Sequence, residues 1–287
     1  MVITKYTGDK EEFSEEKLIS GLESSGIEQP AVTFILSEIK KVLYEGIHTK
    51  RIYQEVRRLL LKYSNEYASK YRLKQAILEL GPSGYPFEAY VGSIFEAIGY
   101  ETQTNVIVAG KCVHHEVDVV AEKDDHHFMI ECKFHNRHGS KTDVKVPLYI
   151  QSRFNDVEFS WRRKSGRRDK FHQGWVVTNA RFTSDAIAFG ECAGLKMLSW
   201  DYPENESLKV LISSYGLHPI TCLSSLTRED KKRLLKKGIV LCRTICDQPD
   251  ILLQIGFEYS KVRKVVREGK QVCKVGVKVG NNLTSKN

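Results

Sequence analysis

HHEVDVVAEKDDHHFMIECKFHN, residues 114–136, sets charged residues inside two apolar runs. Successive side chains on a strand point to opposite faces. In the first run Glu116 and Asp118 then share one face, with Val117 and Val119 on the other. In the second, Glu131 and Lys133 share a face, while Ile130, Cys132 and Phe134 take the packing side. The link EKDD is short enough for a hairpin, which brings Asp118 and Glu131 close at a sheet margin. Buried charge is costly unless something pairs with it. Either these side chains neutralise one another, or they hold something from outside.

Outward from this hairpin the pattern is that of an α/β domain. GPSGYP (81–86) marks a break. FEAYVGSIFEAIGY (87–100) reads as a helix, with Phe87, Val91, Ile94, Phe95 and Ile98 on one face. TNVIVAG is a further strand; after the hairpin come a helix in DVKVPLYIQSRFNDVEFSW, a strand in GWVVTNA, a helix in FTSDAIAFGECAG and a strand in LKMLSW. This order predicts a mixed sheet of four or five strands within a domain spanning 81–204, ending at the break DYPENES.

Two carboxylates with the intervening strand carbonyls make an oxygen-rich site of the kind Mg²⁺ takes. A nearby lysine can orient a water or offset charge on a phosphate oxygen. The helix carrying Glu88, then Glu-Val-Asp (116–118), then Glu-Cys-Lys (131–133) resembles the PD-(D/E)XK nuclease superfamily, and within it the Mrr-like restriction endonucleases. The resemblance runs from about Tyr85 to Trp200, with Val117 where the family name has proline. It implies a restriction-endonuclease-like mixed-sheet core with helices on both faces, and metal-dependent hydrolysis of DNA phosphodiesters. On it, Asp118, Glu131 and Glu88 are the ligands of Mg²⁺ or Mn²⁺, and Lys133 positions the attacking water.

Six of the nine histidines (114, 115, 126, 127, 135 and 138) crowd into this segment. Cys132 and His135 have zinc-like spacing but no second ligand pair, so exposed loop histidines are expected. Gln151 and Arg153 fall on the helix after Glu-Cys-Lys, and WRRKSGRRDK (161–170) is strongly basic. Arg153, Arg162, Arg163, Lys164, Arg167 and Arg168 are the candidate DNA contacts, most of them to phosphates, with Trp161 and Phe171 flanking the loop.

Residues 1–80 read as a small, mostly helical domain. After a strand in VITKY come helices in FSEEKLISGLESSG, in PAVTFILSEIKKVLYEG, and in a longer stretch from His48 to Leu80 that contains a break. VITKYTGDKEEFSEEKL and GIHTKRIYQEV resemble the ATP-cone, a nucleotide-binding regulatory module. That resemblance implies ATP or dATP as a regulator, with Lys5, Lys17 and Thr49 as its contacts. Tyr6 and Tyr53 stand where the module has a basic and a polar residue. Residues 205–287 read as helical and basic, with Ile255-Gly256-Phe257 turning between two helices.

The formal charge of +8 suits a polyanionic partner, DNA above all. No apolar run approaches the ~20 residues of a membrane span, and the N-terminus lacks a secretory core. Seven scattered cysteines indicate reduced thiols. A soluble, cytoplasmic protein is expected, and a homo-oligomer is compatible with the sequence. Two other readings stay open: a non-catalytic nucleic-acid-binding or nucleotide-sensing protein, and a resolvase-like nuclease acting on branched DNA.

Overall fold

The computed structural model describes residues 1–23, 25, 27–163 and 171–274. The chain begins with an antiparallel pair, β1 (Val2–Thr4) and β2 (Lys10–Glu12). Three helices follow, α1 (Glu15–Glu23), α2 (Gln29–Val42) and α3 (Thr49–Tyr63). Their apolar stripes meet in one core that includes Leu22, Ile35, Ile39, Val56 and Leu60. Along α3 the buried positions are Ile52, Val56, Leu59 and Leu60, the three- and four-residue spacing of an amphipathic helix. The break expected in this stretch falls at Ser64, whose hydroxyl accepts from the Glu66 amide (3.1 Å) and so starts α4 (Asn65–Tyr71). A short α5 (Leu73–Leu78) follows.

The central unit, Leu78–Leu217, is built on a five-stranded sheet. Its elements in chain order are α6 (Tyr85–Ala97), β3 (Glu101–Ala109), β4 (His114–Lys123), β5 (His126–Lys133), β6 (Lys141–Thr142), α7 (Lys145–Trp161), β7 (Phe171–Thr178), β8 (Arg181–Phe182), α8 (Ser184–Cys192), β9 (Lys196–Leu198) and α9 (Leu208–Tyr215). The strand order is β3-β4-β5-β7-β9. The first three strands are antiparallel neighbours, and β5, β7 and β9 are parallel, so the sheet is mixed as expected. β6 and β8 form a separate parallel pair.

Helices cover both faces. On one, Phe95 of α6 lies edge-on to Phe128 and Trp175. On the other, Phe154 and Val157 of α7 cluster with Val120 and Met129, while Ile150 of α7 and Ala186 of α8 pack with Val176 and Met197. Thr183 caps α8 by accepting from the Ala186 amide.

From His218 the chain rejoins the unit of Met1–Ile77. The segments expected as separate first and third domains therefore share one packed body. Its later helices are α10 (Arg228–Lys236), α11 (Cys242–Asp247), α12 (Asp250–Gln254) and α13 (Tyr259–Val272). α10 opens with a reciprocal capping box between Thr227 and Asp230. Gly256, at φ 88°, makes the left-handed turn between α12 and α13. Glu268 of α13 accepts from the Ser69 hydroxyl of α4 (3.1 Å), and Thr221 donates its hydroxyl to the Ala76 carbonyl (2.7 Å). These bonds, with buried Val262, Val265 and Val272, hold the early and late segments of this unit together. None of the seven cysteines takes part in a disulfide.

Candidate active site

β4 and β5 pair from Lys123↔His126 up to Val119↔Ile130 and then part. The next residues in this register are Asp118 and Glu131, and β5 continues beside β7 as far as Lys133↔Thr178. Where the ladder opens, Asp118 Oδ2 accepts from the Cys132 amide at 2.7 Å, so a side chain replaces a strand bond. Across on β3, Asn105 takes a left-handed φ of 55° between the pairs Thr104↔Val119 and Val106↔Val117. The distortion changes one expectation. Val117 joins Val120 and Met129 in the cluster beneath α7, so it does not share a packing face with Val119.

Glu131 Oε2 lies 2.5 Å from Arg153 Nη1, and Arg153 also donates to the Glu116 carbonyl. Its guanidinium sits 5.4 Å from the Tyr149 ring centre. Arg153, expected at DNA, is thus turned inward onto the acidic cluster. Glu88 lies in the first turn of α6. Gly84 makes room for it, because a Cβ there would stand 2.7 Å from Glu88 Oε1. Glu88 Oε2 is buried without a hydrogen-bond partner among the described residues, and so is Gln151 Oε1 on α7.

Burial, then the charge of Asp118, pushes the Glu131 carboxyl up to about 7, although Arg153 pulls the other way. Glu88 is also raised to about 7, by burial first and then by Asp118 and Glu116. Asp118 is raised by burial against the opposing Cys132 amide and Arg153. Three acids gathered beside the Arg153 guanidinium carry more negative than positive charge, and a divalent cation would offset the excess. The donor chemistry and the orphaned Glu88 oxygen fit an oxygen-loving cation. Among the described residues, however, no three His, Cys, Asp or Glu side chains form a ready cage. With Arg153 on Glu131, that carboxylate is already engaged.

Lys133 is exposed and makes no ion pair among the described residues. Its backbone is pinned: Thr178 Oγ1 donates to the Lys133 carbonyl (2.7 Å) and shares a hydrogen bond with Thr142 Oγ1 (3.1 Å). Asn179 brackets His135, its Oδ1 accepting from the His135 amide and its Nδ2 donating to the His135 carbonyl, each at 2.8 Å. Sequence reasoning missed Thr178 and Asn179. Their signal was two polar residues closing the apolar strand VVTNA.

Four of the six histidines lie on strands, while His135 and His138 follow β5 outside any strand. His114, His115, His126 and His127 lie on β4 and β5. His127 is buried, with its ring 4.6 Å from those of both Trp161 and His172. Trp161, expected beside the DNA loop, is therefore a core residue. His115 Nε2 lies 2.8 Å from Asp156 Oδ2, which also binds the Cys112 and Val113 amides. These contacts, that of His115 foremost, hold Asp156 well below the usual carboxylate range. Arg162 pairs with Glu158 at 2.7 Å, and Arg163 stacks 3.8 Å from the Phe159 ring. Lys164, Arg167 and Arg168 lie outside the described residues.

In the helical unit, Lys5 and Lys17 are brought together, at 2.7 and 3.1 Å from the same oxygen of Glu11. Both cations are thus already paired. Thr49 opens α3.

Residues 81–202 match the family described as restriction endonuclease, which makes the core restriction-endonuclease-like and of nuclease type. Residues 218–273 match the family described as AF1548-like, C-terminal. An uncharacterized protein of Archaeoglobus fulgidus is 42% identical over 180 residues, 62% of this chain and 97% of that protein. A crystal structure of a protein of unknown function, AF1548, is 40% identical and covers 67% of this chain and 98% of that one, with a TM-score of 0.55. The chain belongs to this AF1548-like family. Both family matches lie beyond residue 80. No helix among the described residues is long and apolar enough to cross a membrane.

Proposed function

We propose that the chain is a metal-dependent endonuclease that hydrolyses DNA phosphodiester bonds, with Mg²⁺ or Mn²⁺ as its cation. The observation that carries this reading is the parting of β4 and β5 at Asp118 and Glu131, two residues before Lys133, which is exposed and in no ion pair among the described residues. Asp118 and Glu131 would hold the cation, with the orphaned Glu88 carboxylate completing the set. When bound, such an ion stabilises charge on the phosphate and makes its water a stronger nucleophile. Lys133 Nζ orients the attacking water and offsets charge on a phosphate oxygen. Arg153 screens Glu131 until the carboxylate is needed for the cation. The basic stretch from Arg162 onward holds DNA phosphates. Regulation by ATP or dATP rests on the resemblance of the first 80 residues to the ATP-cone.

Plasmid, linear and branched DNA incubated with Mg²⁺ or Mn²⁺, with and without ATP or dATP, tests the reading. Wild type should cut at least one substrate, and Lys133→Ala and Asp118→Ala should lose that activity. Variants that cut as well as wild type would sink the proposal. Metal-independent binding to DNA with no cleavage would favour a non-catalytic binder.

A further inference from the structure

Within the helical unit lies a cavity of about 380 Å³ whose charged lining residues are Lys50 and Arg57 of α3, Arg72 between α4 and α5, and Lys231 of α10. No carboxylate lines it among the described residues. Two of the cations converge, because Arg72 Nη1 (3.1 Å) and Lys231 Nζ (2.8 Å) both donate to the Thr221 carbonyl. Thr221 is in turn anchored to Ala76. The Nε of Arg57 is buried with no hydrogen-bond partner among the described residues. Like charges gathered around one cavity repel, and a buried N–H without an acceptor is costly. An anion in the cavity removes both penalties.

Glu268, which binds Ser224 but does not line the cavity, does not supply that anion. Its oxygens already accept from Ser69, from the amide and hydroxyl of Ser224, and from the Ser225 amide. The cavity continues into a second of about 610 Å³ through the shared residues Tyr6, Lys50 and Gln54, so the ligand can extend beyond its charged end.

We propose that this cavity binds a compact polyphosphate, such as the triphosphate of a nucleotide, through Lys50, Arg57, Arg72 and Lys231. A small cavity with four cations and a buried guanidinium edge suits phosphoryl groups joined to one another. Duplex DNA spaces its phosphates along a backbone and presents them to surfaces instead. The inference rests on the nucleotide part of the proposed function only for the nucleoside. The cation set stands without it, and without the nuclease chemistry. It also moves the phosphates away from Lys5 and Lys17, which share the Glu11 carboxylate.

Calorimetric titration of the full chain in EDTA with sodium tripolyphosphate, ATP, dATP and a short DNA duplex tests it. Tripolyphosphate should bind, and Arg57→Gln and Lys50→Ala should each weaken it about tenfold, as expected for loss of a charge-assisted contact. Lys50 is exposed, so its variant reports on binding even where Arg57→Gln folds poorly. ATP or dATP binding more tightly than tripolyphosphate supports the proposal and puts the nucleoside in the adjoining cavity. Equal binding supports it with the polyphosphate as the whole ligand. Three results overturn it: no tripolyphosphate binding, unchanged affinity in both variants, or loss of binding in Lys17→Ala with the cavity variants unaffected. Duplex binding through Lys50 with no tripolyphosphate binding overturns it as well, and makes the surface a DNA contact. The readout is binding, so its failure is separate from any failure to cleave DNA.

Discussion

Glu268 and Glu88 are both glutamates with buried oxygens, and their surroundings are opposite. Glu268 sits on α13 and accepts four hydrogen bonds from three serines. Burial alone would raise it, yet those bonds from Ser225 and Ser224 win and lower it below the ordinary value. Glu88 has an oxygen with no hydrogen-bond partner among the described residues, and burial beside Asp118 and Glu116 raises it to about 7. The first carboxylate is completed by its own chain and ties two segments together. The second keeps an oxygen that no group among the described residues completes. A fold that tolerates such a deficit leaves room for a ligand that supplies the missing charge.

The contrast breaks most sharply in activity. Lys133→Ala and Asp118→Asn should lower DNA cleavage by about a thousandfold, the scale of removing an electrostatic or water-positioning group from an active site, while circular dichroism shows the fold retained. Glu268→Ala should do the reverse. It leaves the serine donors facing a buried gap, a loss on the order of 2–3 kcal/mol in urea unfolding, with cleavage by the remaining folded protein intact. Equal stability loss in Asp118→Asn and Glu268→Ala would erase the distinction.

The two settings should also respond to pH with opposite slopes. Glu88 and Glu131 have folded values raised from 4.5 to about 7, so the stability they contribute is full below the unfolded value and is lost as pH rises through the folded one. In EDTA the melting temperature should therefore fall between about pH 5 and about pH 8, and Mg²⁺ should restore it. Glu268, held below its ordinary value, contributes above the unfolded value and loses that contribution as pH falls through the folded one. Melting curves of wild type, Glu88→Gln and Glu268→Gln across this range separate the two. A flat Mg²⁺ response at neutral pH would count against a cation at Glu88 and Glu131.

The smallest effect concerns Arg153. Removing it takes away a cation that lowers Glu131. Arg153→Ala should shift the pH at which Mg²⁺ protects the protein upward by a few tenths of a unit, on the order of a partly solvated ion pair, read by the same melting curves.

The hairpin and its surroundings were legible because strand alternation and the order helix, Asp, Glu-Cys-Lys, helix, strand are local patterns. What decided Arg153 was not local. A basic residue on a helix after the motif reads as a DNA contact until the helix is docked, and only then does Glu131 come within reach. The same holds for His127 and Trp161, polar-looking residues that the docking of α7 against β5 and β7 buries together. The break at Ser64 was visible as helix chemistry. The union of the first 77 residues with the segment after Leu217 was not, since it depends on partners such as Ser69 and Glu268 that lie far apart along the chain. The cationic cavity was hidden for the same reason: Arg57, Arg72 and Lys231 belong to no single motif.

That union has a consequence for synthesis. Chains fold as they emerge from the ribosome, N-terminal parts first. Here the first helices are made early, but Ser69 and Ala76 must wait for Glu268 and Thr221, which arrive after the whole mixed sheet has been translated. The nuclease-like core can close while the other unit is still half made. Any polyphosphate cavity that needs Lys231 comes into being last, after the site it would control already exists.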